Sequence, residues 1–87
     1  MTMTHEYKSV TTLYQTQDLA LATTLSLYFP LEGVEKLPNS QKSVFFFKRS
    51  NELEQLVEAY WKRELKVEPQ MYFTQLRQVK ARLYENR

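Results

Sequence analysis

The sequence predicts a small α+β domain, ordered β-α-β-β-α-α, with a three-stranded, mainly antiparallel sheet packed against three helices. Three observations lead there. Ser43-Val-Phe-Phe-Phe-Lys48 is dense in β-favouring residues and is apolar on both of its faces, as a central strand is. Pro69–Tyr84 repeats Tyr72, Leu76, Val79 and Leu83 at the spacing that gathers four side chains on one side of a helix. The chain has 87 residues, enough for one core but not for two.

The elements follow in order. Residues 1–6 offer nothing to bury and read as a tail, leaving a single domain over 7–87. Tyr7–Tyr14, centred on Val10–Tyr14, has the β-branched and aromatic content of a first strand. Thr16 reads as the cap of a helix over Gln17–Tyr28, with Asp18 in its first turn, where the helix dipole favours negative charge. Leu21, Ala22, Leu25, Tyr28 and Phe29 form the buried face of that helix, and Pro30 ends it. Thr23 and Thr24 are weaker helix formers than Ala and Leu and are expected to tolerate exposure. Leu31–Leu37 is a second strand, bent or bulged at Gly33, and Pro38-Asn-Ser40 is the turn of a hairpin into Ser43–Lys48. Ser50 or Asn51 caps the next helix, whose stripe is Leu53, Leu56, Val57 and Tyr60, with Trp61 at its edge. Pro69 then fits the first turn of the last helix. Inserting the third strand between the first two makes all neighbours antiparallel.

Composition narrows the functional classes. The only histidine, His5, lies in the tail, cysteine is absent and no serine sits at a nucleophile elbow. A lone glycine, Gly33, leaves no glycine-rich phosphate loop. The carboxylates are dispersed; Glu54 and Glu58 stand one helical turn apart, as on a solvated face. No catalytic residue, metal site, cofactor or small-molecule substrate is therefore expected. No apolar run reaches the ~20 residues that span a bilayer, and the start has neither the basic nor the apolar segment of a signal peptide. A soluble, cytoplasmic protein is the expectation.

The pattern Tyr14-x-Thr16-x-Asp18-Leu19, Phe45-x-Phe47, Glu58-Ala-Tyr60-Trp61, Leu65-x-Val67, Tyr72 and Leu76-x-x-x-Lys80-x-x-Leu83 resembles a small bacterial family classed as a domain of unknown function. The resemblance covers Tyr14–Tyr84. It implies a shared fold and no activity. Tyr14, Thr16 and Asp18 themselves are accounted for as strand end, cap and dipole partner.

Charge is uneven along the chain. Residues 1–41 carry two bases and four acids, whereas residues 42–87 carry ten bases and six acids. On the last helix, Phe73, Arg77, Lys80 and Tyr84 form a second stripe about 100° from the first. Cations that neutralise phosphate beside rings that stack on unpaired bases are the ingredients of a nucleic-acid surface. Arg82 and Arg87 raise the local potential, and Lys48 and Arg49 would extend the patch if the helix passed the end of the Phe strand. Against this, Phe73 and Tyr84 would only widen the core if the two bases laid their alkyl stems over them. The sequence thus predicts a non-enzymatic binding module, nucleic-acid-associated through this edge. The alternative is a protein–protein or homodimerisation module anchored by rings such as Trp61.

Overall fold

Phe45 and Phe47 set the architecture: both are buried, and every helix contributes to the cluster that covers them. The structure, a computed structural model, describes residues 12–85. These form β1 (Leu13–Thr16), α1 (Leu19–Ser26), β2 (Leu31–Lys36), β3 (Ser43–Lys48), α2 (Asn51–Trp61) and α3 (Pro69–Glu85). The strand order is β1-β3-β2, and both pairings are antiparallel. The central place of β3 is the one its two apolar faces predict. Leu21 and Leu25 of α1, Leu53 of α2 and Val79 of α3 join Val34, Phe45 and Phe47 in one core, so the helices share one side of the sheet. α1 packs against both α2 and α3.

Residues 1–11 and 86–87 lie outside the described residues, and with them the tail at 1–6, the domain start at residue 7, His5, the strand residues before Thr12 and Arg87. Within the described residues β1 runs on to Thr16 rather than stopping at Tyr14. That extension moves the helix start. Asp18, not Thr16, caps α1: its carboxylate accepts from the Leu21 N–H at 3.1 Å, while the Thr16 hydroxyl accepts from the Asp18 N–H. The predicted helix over Gln17–Tyr28 is accordingly shorter at both ends. Its last turn tightens as the N–H groups of Tyr28 and Phe29 both reach the Leu25 carbonyl, and Tyr28 is exposed.

Thr23 and Thr24, expected to tolerate exposure, are buried instead. Thr23 is 0% exposed and Thr24 6%. Their hydroxyls donate to the Leu19 and Ala20 carbonyls, both at 2.9 Å, so the polar groups enter the core already bonded. A helix of eight residues between two others has more than one face to bury.

The hairpin follows the sequence closely. Register slips between Leu31 and Gly33, the bulge expected at the glycine. Asn39 turns the chain with φ 57°, and the Leu37 N–H closes on the Lys42 carbonyl at 3.0 Å. Ser50 caps α2 by accepting from the Leu53 N–H, and Glu68 caps α3 by accepting from the N–H groups of Gln70 and Met71. In α3 only Val79 is fully enclosed; Tyr72, Leu76 and Leu83 are half-buried.

Candidate functional site

α3 is fixed from one side, which determines what its other sides offer. Val79 and Leu83 pack into the core, and the Arg82 guanidinium donates to the Leu31 carbonyl at 2.8 Å, tying the helix to the start of β2. The stripe of Phe73, Arg77, Lys80 and Tyr84 lies about 100° around the axis from Val79 and Leu83. All four residues are exposed, Phe73 by 56% and Tyr84 by 62%. These rings do not widen the core. Along the axis the order is ring, cation, cation, ring, with about 6 Å between each ring and its nearer cation and about 16 Å end to end, at 1.5 Å rise per residue. Between Pro69 and Tyr84 the helix carries three bases and no acid.

Trp61 is 60% exposed at the end of α2. Its ring meets Tyr60 edge-on at 5.0 Å, and Tyr72 meets Phe73 in the same way at 5.8 Å. Tyr60 and Tyr72 are close enough that a Tyr72 phenolate pushes the Tyr60 hydroxyl pKa up. The two outer rings, Trp61 and Phe73, thus flank two half-buried tyrosines. Burial is the main cause holding the Tyr60 and Tyr72 hydroxyls above the ordinary tyrosine value, with the Asp18 carboxylate adding to it. The polar Thr23 side chain works the other way on Tyr72.

Lys48 and Arg49 are not brought to this stripe. Period-two alternation puts Lys48 on the face of β3 shared with Phe46, away from the helices; its register partner Leu13 lines a shallow depression with Phe46 on that side. Arg49 pairs with Glu54, donates to the Leu13 carbonyl and lies over the Tyr14 ring at 5.5 Å. It clamps the start of α2 to β1. Burial raises the Tyr14 pKa, helped by the nearby Glu54 charge and opposed by Arg49. Lys42 lines a shallow depression with Gln17, Ser43 and, from α3, Leu83. Lys42 and Leu83 lie almost half the chain apart, and no spacing rule links them.

Among the described residues no group of three or more His, Cys, Asp or Glu side chains converges as a metal ion would require. No helix among them is long and apolar enough to cross a membrane.

Residues 11–85 match the family model of a domain of unknown function, DUF5659. The chain belongs to the DUF5659 family. No curated protein and no solved structure matches it. Within this DUF5659 domain, the helices and strands that hold the core and the edge of α3 all fall inside the matched span.

Proposed function

We propose that this domain is a non-enzymatic, cytoplasmic nucleic-acid-binding module that works through the exposed edge of α3. The observation that carries the reading is the ring-cation-cation-ring order of Phe73, Arg77, Lys80 and Tyr84 on a helix segment free of acids. Arg77 and Lys80 neutralise phosphate, and Phe73 and Tyr84 supply faces on which bases stack. The anchoring of α3 by Val79, Leu83 and Arg82 supports it further, because a helix held rigid loses little freedom on binding. Fluorescence anisotropy with labelled oligonucleotides at two salt concentrations tests it. Binding should weaken as salt rises, and the Arg77→Glu plus Lys80→Glu variant should bind at least about tenfold less well. Equal affinity in the double variant would reject the site.

A second reading is docking to a protein, favoured by the two outer rings, Trp61 and Phe73, flanking Tyr60 and Tyr72. In that case Trp61→Ala abolishes association seen by light scattering or co-purification, while the charge-reversed α3 variant leaves it intact.

A further inference from the structure

If the α3 edge binds nucleic acid, its spacing also sets the kind of strand it takes. Resting on that reading, we infer that the ligand is a short single strand of about three to five nucleotides, its outer bases on Phe73 and Tyr84 and two phosphates against Arg77 and Lys80. Phe73 and Tyr84 lie eleven residues apart on an uninterrupted helix and share an arc of about 60° with the two bases between them. The resulting span of about 16 Å accommodates about five nucleotides of a stacked strand at about 3.4 Å each, and fewer of a splayed one.

A duplex fits this arrangement poorly. Its bases are already stacked on one another, so both rings would lie against the sugar-phosphate exterior and only the two cations would engage. An unpaired strand presents base faces and phosphates together. The cations occupy the middle of the row and the rings its ends, so each ring meets a base with a phosphate contact beside it. Of the carboxylates that bound the edge along the chain, Glu68 caps the start of α3 and Glu85 is the helix's last residue, beyond Tyr84.

A length series decides it. The full chain is titrated with labelled oligothymidylates of two to twelve nucleotides at low salt, and with a hairpin duplex. Affinity should climb steeply to about five nucleotides and then rise only with the number of equivalent registers. The duplex should bind at least about tenfold less tightly. The logarithm of affinity should fall against the logarithm of salt with a slope of about −1.4, the value for two phosphates of a single strand. Phe73→Ala and Tyr84→Ala should each weaken the five-nucleotide ligand roughly five- to 150-fold, the range for loss of one stacked base. Both positions are exposed, so circular dichroism should show these variants folded. Affinity that grows without a break to twelve nucleotides, or equal binding of duplex and single strand, overturns the short footprint while leaving a cationic edge in place. No binding of any oligonucleotide at low salt overturns the underlying reading. The same loss together with self-association that Phe73→Ala abolishes assigns the edge to a second copy of the chain instead.

Discussion

Arg63 shows how a single residue can run against its local geometry. It follows the helix C-cap Lys62 with φ 62°, a left-handed conformation in which a β-carbon crowds the backbone and glycine is the usual occupant. The hydrogen bonds around it are those of a Schellman ending, with the Glu64 N–H on the Ala59 carbonyl and the Arg63 N–H on that of Tyr60, each at 3.0 Å. Arg63→Gly should therefore raise stability by up to about 1 kcal/mol, the strain relieved outweighing the extra freedom given to the unfolded chain. Urea denaturation with an unchanged slope checks this, and a loss of stability would show that the arginine side chain holds something there. From the sequence, Arg63 is legible only as a base near a helix end. Thr23 departs from its sequence-based expectation for a related reason. Threonine's modest helix propensity suggests tolerance of exposure, but its hydroxyl can bond back to the preceding turn and so enter the core satisfied.

At the scale of elements, β3 divides its work between two faces. Phe45 and Phe47 lie under the helices with almost no exposure, whereas Phe46 lies across Gly33 on the other face, half-buried. Phe47→Ala should cost about 3–5 kcal/mol, comparable with much of the stability expected of a domain this size, and Phe46→Ala clearly less. Thermal and urea unfolding of the two variants measure the difference, and equal losses would mean that the outer face is as tightly covered as the inner one. The identity and period of β3 are plain in the sequence because its run of adjacent aromatic and β-branched residues favours strands strongly. The start of α1 is less plain, since Thr16 and Asp18 are both good caps two residues apart. The choice between them depends on how far β1 stays paired with β3, which is a long-range matter.

For the whole molecule, three half-buried tyrosines on β1, α2 and α3 link stability to pH. Burial raises the hydroxyl pKa values of Tyr14, Tyr60 and Tyr72 above the ordinary 10.0. The folded domain therefore keeps these protons where the unfolded chain releases them. Their contribution to stability is fully present below about pH 10 and is lost as pH rises through the higher folded values. Urea midpoints measured from about pH 8 to 11 should fall across the upper part of that range, and less steeply in Tyr72→Phe. A flat profile above about pH 10 would contradict the burial of these rings.

Taken alone, the sequence determined what depends on neighbours along the chain: six elements in order, a hairpin bulged at Gly33, a central Phe strand and two stripes on the last helix. Periodicity, caps and turn residues act over a few positions, so they can be read without a fold. Tertiary structure alone decided which stripe is covered, because burial depends on what comes to lie opposite. It enclosed Val79 and left Phe73 and Tyr84 exposed, turned Lys48 to the far side of the sheet, committed Arg49 to Glu54, and set Lys42 and Leu83 around one depression. The basic-aromatic edge is thus spelled out in the chain, but its exposure follows from where the sheet ends and the helix lies.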